Sequence, residues 1–366
     1  MSTVRRHPDA LPAFTSTVMT AGGRGREYGA AWSEEIQAGL AGYLRLFGAV
    51  GASVDEVRSW AERALEEIQA WAPELAEEIA GIATGAGMPV WQVGAVNART
   101  EILAAVRARG PNECSTAVSV PLRGTPRTIQ TWDWNDSLRD TPMAWIYEPR
   151  HGHVVRGLTE FGILGKIGVN SAGLGVHFNI LRHASDHDRI GVPVHAVARH
   201  ILDEASTVDQ ATEIARSARL SASTVLTVVA HDGERGSVAG LELSPAGVGM
   251  AEPDDDGFYV HTNHFLDASL SGGERLGTVR PNTYDRLKRM RARGAGLSSA
   301  DLMTRVEAML SHAEDGAPVC CHASADDPFE LRSETLATVS IDVADGRLMV
   351  HRGGPCQVAR ETWQRV

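Results

Sequence analysis

A chain of 366 residues, 43% of them hydrophobic, can bury a substantial core and is long enough for two average domains. Its net charge of −11 includes no basic block, which excludes nucleic acid as a general partner, and short acidic runs such as Asp254-Asp255-Asp256 read as solvated surface. No stretch approaches the roughly 20 apolar residues of a membrane span, and no apolar run of signal-peptide length precedes Pro8 and Pro12, so a soluble, cytoplasmic protein with reduced thiols is expected.

Residues 1 to 110 read as helical. Ser53-Val54-Asp55-Glu56 has the form of a capping box. After it Val57, Trp60, Ala61, Ala64, Leu65 and Ile68 fall at helical spacing. Pro73 suits the first turn of the next helix, which runs to about Ile82 and ends before Gly85-Ala86-Gly87. A third helix carries Val93, Val96, Asn97 and Ile102. Gly22-Gly23-Arg24-Gly25 has no strand before it and no Gly-Lys-Ser/Thr after it, so it reads as a turn and not a phosphate loop.

The period changes at Cys114. Ala117, Val118 and Val120 alternate as a strand, Arg123-Gly124-Thr125-Pro126 turns, and Thr128, Ile129, Thr131 and Trp132 return as its hairpin partner. The thiol then begins one strand, and Asp133, flanked by Trp132 and Trp134, ends the other across from it. A lone cysteine is commonly a small buried hydrophobe. Here polar neighbours (Asn112, Glu113, Ser115, Thr116) suit a reactive thiol, though surroundings and not spacing identify one.

Further hairpins are expected around Pro149–Gly152 and Asn170–Gly173, then helices near Pro193–Glu204 and Thr207–Ala218. Strands return at Thr224–Ala230, Val238–Leu243 and Gly257–His261. Helices follow near Asn282–Arg293 and Ser299–Ser311, with a last hairpin at Leu336–Val343 and Leu348–His351. Hairpins interrupted by helix pairs are the pattern of two stacked antiparallel sheets covered by helices.

The Cys114-Ser115-Thr116-Ala117 strand start, Trp132-Asp133-Trp134-Asn135 and His261-Thr262-Asn263-His264-Phe265 together resemble the acyl-coenzyme A:6-aminopenicillanic acid acyltransferase family. So does the upstream helix containing Ala72-Pro73-Glu74 and Glu77–Ala83. These are self-cleaving, cysteine-type N-terminal-nucleophile (Ntn) hydrolases, and the resemblance covers most of the chain. It implies an α+β fold, a four-layer α-β-β-α sandwich behind an N-terminal helical segment. It also implies a division into residues 1–113 and 114–366 as the two fragments after cleavage between Glu113 and Cys114. One departure stands out: the family's fungal acyltransferase has glycine where this chain has Glu113.

In such chemistry the Cys114 thiol attacks the Glu113 carbonyl, the peptide shifts to a thioester, and water releases it. The freed α-amine, with an ordinary pKa of about 7.7–8.0, then serves the thiol as base. Amide or thioester substrates pass through an acyl-cysteine, completed by water in a hydrolase or by an amine in an acyltransferase. The resemblance assigns Asp133 to orienting the α-amine and Asn263 to donating into an oxyanion hole. It places Arg332 near the thiol, lowering its pKa. Asn179, Trp132 and His264 are weaker oxyanion or substrate contacts. No cofactor is expected.

His261 and His264 lack ligand-spaced Cys or carboxylate companions, so no metal is expected there. The four cysteines (Cys114, Cys320, Cys321, Cys356) are too few and too oddly spaced for a disulfide scaffold or a C-x-x-C zinc site, and Cys320-Cys321-His322 reads as packing. The expected partners are a small-molecule amide or thioester and the cleaved N-terminal fragment, with homo-oligomers possible. No basic pocket for coenzyme A phosphates is visible, which favours hydrolysis over coenzyme A-dependent transfer. Two rival readings remain: a non-catalytic binding protein on the same scaffold, and a thiol peptidase in which His261 or His264 is the base.

Overall fold

The structure, a computed structural model, describes residues 10–108 and 114–366; Glu113, half of the expected cleavage site, lies outside them. Six helices lead the chain: α1 (Ala21–Ala31), α2 (Ser33–Ala49), α3 (Val54–Trp71), α4 (Pro73–Ala86), α5 (Val90–Asn97) and α6 (Arg99–Ala105). The capping box forms: Ser53 Oγ accepts from the Glu56 N–H at 3.3 Å, and Glu56 Oε2 accepts from the Ser53 N–H at 2.9 Å. Pro73 occupies the first turn of α4. The expected third helix breaks at Ala98 into α5 and α6. There Asn97 Nδ2 donates to the carbonyls of Val93 and Gly162, anchoring the break on the sheet side.

Two expectations for this segment fail. Ala13–Thr15 is a strand, β1, not helix, and Gly22–Gly25 lies inside α1, not in a turn. The glycines are there for contact. A Cβ on Gly25 would stand 2.2 Å from the Glu78 carbonyl oxygen, on Gly29 2.2 Å from that of Ile82, and on Gly81 2.4 Å from that of Gly22. Backbone meets backbone along the α1–α4 crossing, which only glycine permits.

The strands form two sheets. The first holds β1, β4 (Pro142–Arg150), β5 (His153–Glu160), β6 (Ile167–Asn170), β7 (Leu174–Ile180), β8 (Thr224–His231), β9 (Gly236–Ser244) and β10 (Gly247–Ala251), in that spatial order. Only β1–β4 is parallel; the other pairs are antiparallel. The second runs β11 (Phe258–His261), β2 (Cys114–Ser119), β3 (Arg127–Asn135), β12 (Ser333–Asp342), β13 (Arg347–Arg352) and β14 (Gln364–Arg365).

Helices α7 (Val194–Glu204) and α8 (Val208–Ser217) cover the first sheet. Helix α9 (Leu276–Val279) leads into α10 (Asn282–Ala292), which with α11 (Gly294–Leu297) packs on the second sheet at β2 and β11, while α12 (Leu302–Met309) follows. The result is the expected four-layer α-β-β-α sandwich. Strands β2 and β7 face each other across the two sheets and are buried along their whole length, because each has cover on both faces.

One apolar cluster runs through both sides of residue 113, from Ile79 and Val96 to Ile167 and Val339. Buried charges cross the same line. Glu78 of α4 receives Arg24 and, at 2.9 Å, Arg199 of α7. Burial opposes its ionisation, but the Arg199 and Arg24 guanidiniums hold its carboxyl below the ordinary range. At the ends of the fold, Gln364 Nε2 of β14 donates to the Leu11 carbonyl at 3.2 Å. Among the described residues, no helix is long and apolar enough to cross a membrane.

The glycine crossing predicts an asymmetric response to substitution. Gly81→Leu should lower stability by about 3 kcal/mol, since the added side chain must push α1 and α4 apart. Gly48→Ala in α2, where a Cβ meets nothing within 4 Å, should be neutral or gain up to about 1 kcal/mol. Urea midpoints of the two variants check this.

Candidate active site

Cys114 is the first residue of β2 and is 2% exposed. The β2–β3 register sets Cys114 opposite Trp132, so Asp133 is the next residue along. The expected hairpin proximity is present: the thiol lies 4.0 Å from the Asp133 carbonyl oxygen. Asp133 itself is fully buried, and its Oδ1 accepts from Thr335 Oγ1 of β12 at 2.6 Å. Strand β12 loses register between Thr335 and Ala337, an irregularity of the kind that re-aims a side chain beside a site.

Asn263, two residues past β11, reaches the cysteine as expected but with the opposite end. Its Oδ1 accepts from the Cys114 backbone N–H at 2.9 Å and from Arg286 Nη2 at 2.9 Å, while its Nδ2 donates to the Ile180 carbonyl at 2.9 Å. The two donors fix the carboxamide orientation. The oxygen therefore faces the α-nitrogen of Cys114, whereas the family resemblance assigns the amide nitrogen to an oxyanion.

Arg332 is not brought to the thiol. Its guanidinium donates to the carbonyls of Asp327 at 3.2 Å and Ala325 at 3.0 Å, in its own exposed loop. The cations acting on Cys114 are two others. Arg286 of α10 donates through Nη1 to the Cys114 carbonyl at 2.8 Å and to Ser115 Oγ at 2.9 Å. Lys166, 1% exposed, sits with Nζ 3.0 Å from the Trp132 ring centroid and donates to Glu160 Oε2 at 3.1 Å. Arg99 joins the same carboxylate at 2.8 Å. Burial drives the Lys166 pKa well down, against the pull of Glu160.

Both missed cations left a trace in the sequence. Lys166 interrupts an apolar run between Leu164 and Ile167. Arg286 falls on the buried stripe of α10 with Thr283, Leu287 and Met290, at spacings where only apolar residues are expected.

The thiol is not lowered. Burial pushes it up to about 12, with the Asp133 charge adding to the rise, and the Asp133 carbonyl contact, Lys166 and Arg286 only partly reverse this. With the peptide bond to residue 113 intact, Cys114 is a thiol at neutral pH.

Asn179 and Trp132 are held by their own contacts. Asn179 joins the two sheets: Oδ1 accepts from Thr116 Oγ1 at 2.7 Å and Gln130 Nε2 at 2.9 Å, and Nδ2 donates to the Thr262 carbonyl at 3.1 Å. Trp132 is covered by Lys166, and it is Trp134 that lines a recess with Leu103, Ala104, Ile180 and Arg182. Ala104 and Arg182 also border a larger cavity of about 440 Å³, with Arg107, Asp186 and Arg275.

Neither histidine forms a Cys-His pair with Cys114. His261 Nε2 is 2.7 Å from Glu242 Oε1 and its Nδ1 3.0 Å from the Thr262 carbonyl. His264 Nδ1 is 3.0 Å from Thr283 Oγ1, and burial, then His261 and the nearby arginines, press its pKa down to about 3. That removes the geometric basis of the thiol-peptidase reading.

The αββα sandwich thus holds a buried cysteine at the start of an inner strand, with an aspartate beside it and an asparagine on its nitrogen. Residues 123–357 match the profile of the acyl-coenzyme A:6-aminopenicillanic acid acyl-transferase family. The chain is 30% identical over 279 residues to the 40 kDa form of acyl-coenzyme A:6-aminopenicillanic-acid-acyltransferase of Emericella nidulans, covering 76% of this chain and 74% of that one. The chain belongs to this family. Among solved structures, penicillin V acylase from Agrobacterium tumefaciens is similar at TM-score 0.45 and 15% identity, covering 65% of this chain and 83% of that one. The conjugated bile acid hydrolase of Clostridium perfringens is similar at TM-score 0.44 and 12% identity, covering 69% and 92%.

The buried thiol sets a measurable pH dependence. A thiol held near 12 is protonated well above neutrality. Alkylation of Cys114 in the uncut chain should therefore climb about tenfold per pH unit from roughly pH 7 to 10 without levelling. A plateau below about pH 8, the mark of a thiol lowered by a neighbouring cation, would overturn this.

Proposed function

We propose that the chain is a self-cleaving amide hydrolase or acyltransferase that works through an acyl-cysteine on Cys114. The observation that carries this reading is the hydrogen bond from the Cys114 backbone nitrogen to Asn263 Oδ1. A side chain that engages the α-nitrogen of a buried cysteine suits a nitrogen that later becomes a free amine. Family membership supports chemistry at an acyl carbon.

In the maturation step Cys114 Sγ bonds to the Glu113 carbonyl carbon, the C–N bond breaks, and the nitrogen takes up a proton. Water then hydrolyses the thioester, leaving a carboxylate on Glu113 and a free α-amine and thiol on Cys114. In turnover the α-amine accepts the thiol proton, sulfur attacks the substrate carbonyl, and the leaving amine departs with that proton. Asn263 and Asp133 orient the α-amine, and Arg286 holds the Cys114 carbonyl, so the nucleophile and its base keep one geometry. In this reading the α-amine supplies a local base for a thiol whose burial favours the protonated form.

We place the substrate in the larger cavity, which shares Ala104 and Arg182 with the small recess at Trp134. Arg107, Arg182 and Arg275 outnumber Asp186 there, which suits an anionic group on the substrate. The same cavity favours a second reading, coenzyme A-dependent N-acyl transfer, because clustered arginines recognise phosphates. Comparing amide hydrolysis with transfer from an acyl-coenzyme A to an amine separates the two.

The wild-type protein should give two masses that sum to the full chain plus one water, the larger starting at Cys114. Cys114→Ala should give a single uncut mass and lose at least about 10⁴-fold in turnover. A cut or active Cys114→Ala variant would overturn the mechanism. Asn263→Ala should cut but turn over about 10²-fold more slowly, as misplacement of a nucleophile by about 1 Å does; unchanged kcat would remove Asn263 from the site.

A further inference from the structure

His312, Cys320 and His322, close in sequence, converge with the more distant Cys356, each offering a ligand atom, with all four atoms within 4.8 Å of one another. Among the described residues no other such group forms. His312 precedes a short 3-10 turn after α12, Cys320 and His322 lie in the loop before β12, and Cys356 follows β13. The cysteine spacing fits no contiguous zinc motif because three chain segments supply the ligands.

The distances define the coordination figure. Cys320 Sγ is 3.6 Å from Cys356 Sγ and 3.7 Å from His322 Nε2, and Cys356 Sγ is 3.5 Å from His322 Nε2. A tetrahedron with Zn–S of about 2.3 Å and Zn–N of about 2.05 Å has S–S edges of about 3.8 Å and S–N edges of about 3.6 Å. The three side chains already stand at the corners of such a figure.

His312 completes it. Its Nε2 is buried with no hydrogen-bond partner, which is costly unless something else occupies it. Its Nδ1 lies 3.7 Å from Glu314 Oε1, beyond hydrogen-bond distance. The two rings lie 5.2 Å apart and tilted by 45°, so both can address one point. Gly354 gives the sulfur room: a Cβ there would stand 2.6 Å from Cys320 Sγ.

We propose that His312, Cys320, His322 and Cys356 bind a structural Zn²⁺ ion. Two thiols lose their protons to solvent on binding, so two thiolates and two neutral imidazoles leave the site without net charge. Four protein ligands leave no open position for water, which makes the site structural and not catalytic.

The ion would act at a distance on the site. Cys321, between two ligands, donates its N–H to Thr335 Oγ1 at 2.9 Å and accepts the Thr335 N–H at 3.0 Å. Thr335 in turn donates to Asp133. Pinning Cys320 and His322 fixes Cys321 and, through Thr335, the carboxylate beside Cys114.

Elemental analysis of the full-length protein, purified under reducing conditions without added chelator, is expected to give one zinc per chain. Cys356→Ser and His322→Ala should lose most of it, and Cys321→Ser should keep it. Wild-type protein stripped by a chelator and titrated with Co²⁺ should develop thiolate-to-cobalt charge-transfer absorption with a tetrahedral ligand-field band, saturating at one equivalent; this needs no variant to fold. A Cys320–Cys356 disulfide in the reduced preparation, zinc retained in Cys356→Ser, or absence of the cobalt spectrum would overturn the proposal. The zinc content is read independently of chain cleavage and turnover, so it stands or falls apart from the reaction assigned to Cys114.

Discussion

The Arg286 guanidinium holds three atoms of the candidate site at once: the Cys114 carbonyl, the Ser115 hydroxyl and the Asn263 carboxamide oxygen. It comes from α10 in the outer helical layer, fully buried, and so ties that layer to the first two residues of β2. Removing the side chain would leave Asn263 free to rotate and the start of β2 without an anchor. A buried guanidinium is tolerated only when its charge is met by hydrogen-bonding partners, and here the meeting groups are those of the site. The packing of the outer helices and the geometry around Cys114 are therefore one constraint.

A second set of buried charges does the same for the N-terminal helices. Glu160 receives Lys166, Arg99 and Tyr43, and Glu78 receives Arg24 and Arg199. In each group the helices before Cys114 and the sandwich after it both contribute members. The glycine contact of α1 with α4 sets the depth at which Glu78 enters the interior. Taking away one member of either group would strand charge in a medium that cannot solvate it. The helical segment is thus joined to the sandwich by charge as well as by apolar packing.

The layered fold was legible in the sequence because its signals are local. Turn residues at Gly124, Gly152, Gly173 and Gly346 separate alternating strands, and all four take positive φ. Strand β1 left no such signal, because three residues carry little period and its pairing is decided by β4 far along the chain. The hairpin placed Asp133 beside Cys114 correctly, since register follows from chain connectivity. Which end of Asn263 faces the Cys114 backbone nitrogen depends on Arg286 and Ile180, neither adjacent in sequence. Arg332 was drawn in by its position before β12, but a strand-entry residue can turn either way, and this one bonds its own loop. The His-Cys cluster escaped because ligand spacing rules describe contiguous motifs, and these ligands come from three segments.

The bond between Gln364 and the Leu11 carbonyl has a topological consequence. The start of the described chain and its last strand are neighbours, so the chain can be reconnected there and opened elsewhere. A circular permutant that joins residue 366 to residue 10 by a short linker and opens at Cys114 would be born, once its initiator methionine is removed, with the α-amine already free. In that molecule Glu113 no longer precedes Cys114. The turnover proposed for a free Cys114 amine could then be studied without the proposed cleavage step.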